Sequence, residues 1–329
     1  MTTSTGAPSE PPAANGRRRG VALTTLLGVA FALGGLAFVA QRIWSTWDET
    51  GPVLRDADPA WLLVALLLAA AGMTAIAVPW VAVVRALGGS LPLSTAVLTY
   101  YLGEIGKYLP GGVWPVVGRG ELAVRNGIRR TVAYTSVLFS LAVLYLAALL
   151  SAAGLFPVVL ATGGTSSTPV LLVLLVPLGL VFLHPAVLGP LVQLAGRVAK
   201  RDVSLDLPRW GVMVGLVLRY LPAWLLIGSA TWAVTRALSA DVSWVEICLA
   251  TVLSWSAGFL VAPAPGGVGI REAAFVAVAA SMPGGVAAAA ALCARLVFMF
   301  VDAVGAAVAG AVLGAGGRRR EQGDPTAAV

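Results

Sequence analysis

The chain has 329 residues, 58% hydrophobic and 11% charged, with a mean hydropathy of +0.89 and a formal net charge of +7. A soluble domain carries about 25% charged residues, so this composition cannot cover a water-facing surface and excludes a soluble globular protein. The basic residues lie between apolar stretches, where the Lys/Arg bias of cytoplasmic loops explains them, so no nucleic-acid partner is expected.

Residues 1–16, rich in Pro, Ala, Ser and Thr, are expected to form a disordered cytoplasmic tail. Arg17 to Arg19 then precede the apolar run Val21–Ala40. That run is long for a signal peptide and has no clear A-x-A site, so it reads as a first span. A span needs about 20 apolar residues. Further runs follow at Ala60–Val84, Thr131–Leu155, Pro169–Leu183, Gly211–Val234 and Val286–Leu313, with a polar loop at 197–207 and a polar tail at 318–329.

Leu93–Ile128 and Val242–Met282 are different, because proline and paired glycines break each in its middle. Proline removes a helix hydrogen bond and clashes with the preceding turn, so each segment is predicted to be two short helices around an irregular turn. Such backbone is tolerated at membrane depth only where protein buries it or a polar cavity receives it. The expected fold is an all-α integral membrane protein with its transmembrane domain at 17–317. It has six full transmembrane helices plus two re-entrant helical hairpins, or eight spans if both halves of the second hairpin cross. With both termini cytoplasmic, the inner loops collect 15 of the 22 Lys and Arg, as orientation by positive charge requires.

The two hairpins share a motif. The first reads Gly106-Lys107-Tyr108-Leu109-Pro110-Gly111-Gly112-Val113, then Arg119-Gly120-Glu121. The second reads Pro263-Ala264-Pro265-Gly266-Gly267-Val268-Gly269-Ile270-Arg271-Glu272. An apolar helix carrying an acid precedes each, Glu104 in one and Glu246 in the other. A third P-G-G-V at Pro283–Val286 lacks a following charge, so the tetrapeptide alone carries little. The larger match predicts an inverted repeat with halves at about 60–155 and 210–314, an arrangement that places transporter substrate sites near the midplane.

Glycines without Cβ let a ligand approach the backbone, and the free N–H groups of the following helix favour an anion such as phosphate. Arg119 and Arg271 could add bidentate hydrogen bonds. The candidate substrate-binding residues are therefore Lys107, Gly111, Gly112, Arg119, Glu121, Gly266, Gly267, Arg271 and Glu272, joined by the intramembrane Arg219 and Arg295. The alternative is that the breaks only let the hairpins pack closely, with each arginine neutralised by its neighbouring glutamate. Arg219 or Arg295 would then pair with Glu246 or Asp302. Arg295 and Asp302, seven residues apart, share a helix face but stand about two turns from each other, so each needs a partner elsewhere. Trp114, Trp210, Trp224, Trp232, Trp244 and Trp255 read as belt or packing residues.

Cys248 and Cys293 read as small buried hydrophobes, and His184 has no companion ligands; no metal, cofactor or catalytic residue is assigned. There is no P-loop, so ATP hydrolysis is not expected.

The stretch Gly103 to Trp114 with Arg119, together with Pro263 to Glu272, resembles the two signature regions of the lysylphosphatidylglycerol synthase transmembrane-region family over about residues 20–315. This is the flippase-like membrane part of multiple peptide resistance factors, and stand-alone forms exist. The resemblance implies movement of a phospholipid or lipid-linked anionic headgroup between leaflets of a bacterial inner membrane, with membrane lipids as partners. The soluble aminoacyl-transfer domain is expected to be absent, so an enzyme is not expected. Two alternatives stand beside this: a non-catalytic membrane partner of a glycosyltransferase or lipid-modifying enzyme, and a polyprenyl-phosphate-lipid transferase. A homodimer is a candidate assembly.

Overall fold

The structure, a computed structural model, describes residues 55–108, 113–161, 209–238, 241–260, 269–282 and 284–321, with isolated positions at 181, 184, 186, 187, 190 and 267. The expected span Val21–Ala40, nearly all of Pro169–Leu183, the loop 197–207 and the N-terminal tail lie outside the described residues. So do Gly111, Gly112 and Gly266.

The described residues form eight α-helices: α1 Pro59–Ala86, α2 Leu93–Glu104, α3 Trp114–Arg125, α4 Arg130–Ala161, α5 Trp210–Ala237, α6 Trp244–Leu260, α7 Ile270–Val278 and α8 Gly284–Glu321. Four of them, α1, α4, α5 and α8, are long and apolar enough to cross a membrane, and they coincide with four of the predicted spans. Helix α8 runs on to Glu321, into the polar tail.

The predicted breaks are present. Helix α2 has 12 residues and passes into a 3₁₀ turn at Ile105–Tyr108 before α3, also of 12. Helices α6 and α7 have 17 and 9 residues. At 1.5 Å per residue the 12-residue helices reach about 18 Å, short of a hydrocarbon core of ~30 Å. Each pair instead folds back on itself. Gly118 lies against Gly103, where a Cβ would be 3.4 Å from the facing Cα, and Gly267 lies against Gly258 at 3.0 Å. Gly267 has φ +69°, which a side chain would strain.

Helices α1 and α5, 28 residues each, form the central pair. They are antiparallel: the Asp58 N–H donates to the Ala237 carbonyl (2.9 Å), the Trp61 and Trp232 rings meet edge-on at 5.4 Å, and Gly72 faces Ile227. Ala65, Ala69, Gly72, Met73, Ile76 and Ala77 recur at helical spacing on the buried face of α1. Lipid is as apolar as leucine, so van der Waals packing between close backbones, rather than water exclusion, holds such a pair.

Around it the packing partners recur. Helix α2 packs on α8, as α6 packs on α4; α3 packs on α4, as α7 packs on α8; α4 packs on α5, as α8 packs on α1. The hairpin ends lie level with the middles of the long helices. Tyr108 reaches Asp302 in mid-α8, and Phe259 stacks on Tyr145 in mid-α4 at 3.9 Å.

Two expectations change here. Glu104 and Glu246 are not equivalent: Glu104 ends α2, whereas Glu246 lies in the first turn of α6 and accepts the Ser281 N–H at 3.0 Å. Arg219 is exposed, because the core face of α5 is taken by Met213, Leu216, Val217, Tyr220, Ala223 and Trp224.

Close packing at Gly228 makes one expectation measurable. A Cβ there would sit 2.9 Å from the Cys248 Cα, whereas one at Gly215 meets nothing within 4 Å. Gly228→Ala is expected to destabilise by about 1–3 kcal/mol through overpacking. Gly215→Ala should be neutral or stabilising by up to ~1 kcal/mol through helix propensity. Thermal unfolding of the two variants in detergent tests the difference.

Candidate functional site

The 3₁₀ turn that ends α2 turns Lys107 and Tyr108 toward α8. Lys107 Nζ lies 2.7 Å from Asp302 Oδ2 and donates to Glu104 Oε2 at 3.3 Å, and the Tyr108 hydroxyl donates to the same Asp302 oxygen at 2.5 Å. Asp302 is fully buried. Among the described residues its second oxygen, Oδ1, has no hydrogen-bond partner. An isolated carboxylate at this depth would be very costly; the ammonium and the phenol make it tenable.

Arg119, in the second turn of α3, points back across Gly103. A Cβ on Gly103 would occupy the place of the arginine's Cγ, so glycine there opens the slot in which the side chain lies. Arg119 is only 1% exposed. Its Nη2 donates to Ser140 Oγ at 3.0 Å, its Nη1 lies 3.7 Å from Glu104, and it faces the Trp80 and Tyr100 rings at 4.8 and 5.2 Å. The Trp80 indole is itself fixed by donating to Ser136 Oγ at 3.1 Å.

The second hairpin repeats the slot with different surroundings. A Cβ on Gly258 would collide with the Cγ of Arg271, and the Arg271 guanidinium rests 3.9 Å from the centre of the Trp255 ring. Trp255 is held edge-on between Trp224 and Phe298. Among the described residues no carboxylate lies within ion-pair distance of Arg271. Its neighbour Glu272 accepts the Gly269 N–H at 2.7 Å with one oxygen and pairs with Arg295 of α8 through the other. Arg271, Glu272 and Arg295 line a cavity of about 30 Å³ with Thr251, Ser254 and Trp255, room for one or two waters.

The structure thus brings Lys107 and Arg119 into one cluster, and Arg271, Glu272 and Arg295 into a second. It sets apart Arg219 on the outer face of α5 and Glu121 at the outer end of α3. Glu121 does not neutralise Arg119; it accepts from Arg130 at 2.9 Å and from Tyr134 at 3.2 Å, tying α3 to α4. Nor does Glu272 neutralise Arg271. Arg295 and Asp302 do find partners on other elements, as their spacing requires, but Arg295 pairs with Glu272 rather than with Glu246 or Asp302. Gly267 turns its bare face to Gly258 and the Arg271 stem.

Glu104, Tyr108, Asp302, Ser140, Trp80 and Tyr100 complete the first cluster and are missing from the predicted set. Trp255, read as belt or packing, is the platform under Arg271. The readable signal for the carboxylates is their intramembrane position alone. Cys248 and Cys293 are buried, free thiols. Among the described residues no group of three His, Cys, Asp or Glu could hold a metal.

The Lys107–Asp302 pair generates a test. Breaking a buried pair from one side costs about 3–5 kcal/mol, whereas replacing both partners by apolar groups is often neutral. Asp302→Leu is therefore expected to unfold at markedly lower temperature than the parent, and Lys107→Met combined with Asp302→Leu to recover most of the loss. Thermal unfolding of the three proteins in the same detergent measures this.

No curated protein matches this chain. The family model for the lysylphosphatidylglycerol synthase TM region does, over residues 25–306, which takes in both hairpins and all four long helices up to mid-α8. With its apolar helices, broken hairpins and that match, the chain is a multi-pass membrane protein belonging to the lysylphosphatidylglycerol synthase transmembrane-region family.

Proposed function

We propose that the protein is a flippase-like transporter, not an enzyme, that moves a phospholipid or lipid-linked anionic headgroup between the leaflets of a bacterial inner membrane. The observation that carries this reading is the paired hairpin. Each one ends at the depth of a long helix's middle and lays an arginine across a glycine of its own first helix, Arg119 on Gly103 and Arg271 on Gly258. A lipid headgroup crossing a bilayer needs polar groups at the midplane, where lipid supplies none.

The recurring partners and the antiparallel, equal-length α1 and α5 support an inverted duplication, in which the hairpins enter from opposite sides. Six full spans with both termini cytoplasmic fit that scheme; eight spans fit it as well. Thr251 and Ser254 line the cavity beside the second hairpin and offer hydroxyls to a headgroup. The family name supports a lipid-related role. A cavity of this size requires hairpin and long helix to part before a headgroup passes, which makes the described conformation an occluded one.

The test is translocation in liposomes. Purified protein is expected to expose a fluorescent acyl-labelled phosphatidylglycerol from the inner leaflet to external dithionite, which protein-free liposomes do not allow. Gly258→Val, which expels Arg271 from its slot, should remove this movement while leaving the protein inserted. Translocation no faster than in protein-free liposomes, for every anionic phospholipid tried, refutes the proposal.

A further inference from the structure

Asp302 is fully buried, yet only one of its oxygens is engaged. Oδ2 takes the Lys107 ammonium at 2.7 Å and the Tyr108 hydroxyl at 2.5 Å. Oδ1 has no hydrogen-bond partner among the described residues. These contacts tie the tip of the first hairpin to mid-α8. They are carried by the 3₁₀ turn Ile105–Tyr108, and a stretch of 3₁₀ geometry at the end of a helical segment often marks a hinge. Before the turn, α2 is seated independently of Asp302: the Tyr101 ring fills the space over Gly305, and its hydroxyl donates to the Ala70 carbonyl. The turn is thus a four-residue arm, fixed at its base and held at its tip by one carboxylate.

Of the elements packed on α8, α2 brings Glu104, Tyr100 and Tyr101, and the 3₁₀ turn brings Lys107 and Tyr108. Helix α7 brings Arg271, seated on Trp255, and Glu272, paired with Arg295 of α8 itself. Arg85 of α1 and Arg219 of α5 are exposed, and Arg236 of α5 pairs with Asp241. We propose that Asp302 is a proton-binding site, and that taking up one proton releases the tip of the first hairpin from α8. A proton from water adds to the free Oδ1 and gives a neutral carboxyl, while Lys107 keeps its own proton and its charge. The charge-assisted hydrogen bond, about twice as strong as a neutral one, is lost. The ammonium is left with Glu104, which also faces Arg119 at 3.7 Å. A cation so weakly answered is costly at this depth, so Lys107 and the turn that carries it swing outward. Lys107 already stands at the edge of the cluster, its side chain 20% exposed against 0% for Asp302. Phe298, one turn before Asp302 on the same face of α8, lines the cavity beside the second hairpin, which brings room for water within a turn of the carboxyl. That the released turn serves headgroup passage rests on the transporter reading above; the proton site rests on the Asp302 contacts alone.

The test is amide hydrogen exchange of the full chain in detergent, read by mass spectrometry between about pH 8 and about pH 5, the range in which proteins are most stable. Each rate is divided by the intrinsic rate at that pH. Exchange over residues 105–108 is expected to rise by up to about tenfold for each pH unit lowered, the limit for a single proton. The α1–α5 contact around Gly72 and Ile227 should stay flat. Glu104→Gln is expected to keep the rise. Asp302→Asn should exchange fast over 105–108 at every pH, with no rise. Where that variant does not fold, Lys107→Met combined with Asp302→Leu should give a flat profile as well.

A flat profile in the parent overturns the proposal. So does a rise that survives in either Asp302 variant, that disappears in Glu104→Gln, or that the Gly72 and Ile227 amides share. Translocation in liposomes over the same pH range separates this site from the transporter reading. Exchange that behaves as expected without movement of any anionic phospholipid leaves the proton site standing and refutes the transporter. Translocation with a flat exchange profile does the reverse.

Discussion

Charge removed from water has to be answered by charge or hydrogen bonds within the protein, and in this molecule Asp302 is where that demand is met. It is fully buried in the middle of an apolar helix. It gathers Lys107 and Tyr108 from the broken end of the first hairpin. Glu104 then stands between Lys107 and Arg119, and Arg119 reaches on to Ser140 of α4. One carboxylate thereby joins α8, the hairpin and α4 through a continuous chain of polar contacts. Removing a link leaves an uncompensated charge at a depth where water cannot replace it.

The second organising device is the absence of a side chain. Gly103 and Gly258 each give up a Cβ so that an arginine can cross the helix. Tyr101 does something similar in the opposite sense, filling the space that Gly305 of α8 leaves open. Its hydroxyl meanwhile donates to the Ala70 carbonyl of α1 at 3.2 Å. Close approach of backbones is the dominant packing resource in lipid, and here it also decides where the charged side chains can lie. The same slot has been given two environments: a closed, paired one around Arg119 and an open one on Trp255 around Arg271.

Much of the fold is readable from local pattern. Apolar runs delimit α1, α4, α5 and α8, and the Pro-Gly-Gly breaks mark both hairpins, because each signal depends on residues adjacent in sequence. The partners of the charges are not readable in this way. Lys107 meets Asp302 and Glu272 meets Arg295 through contacts between distant elements, and sequence proximity suggests instead Arg119 with Glu121 and Arg271 with Glu272. Those adjacent pairs fail for a geometric reason: residues one or two apart on a helix do not face each other. Arg219 shows a related limit. Its position along the span is plain, but whether it faces the core depends on which side α5 turns to its neighbours. Trp255 is hidden for the opposite reason, since an aromatic residue in an apolar run looks the same whether it packs or carries a cation.

Tyr108 and Asp302 are 194 positions apart, and this has a consequence for biosynthesis. At ~5–20 residues per second the first hairpin emerges roughly 10–40 s before the carboxylate that completes it. Through that interval Glu104 is the only acid of the finished cluster available to both Lys107 and Arg119. The polar cluster of the N-terminal half is thus complete only once the C-terminal half has been made.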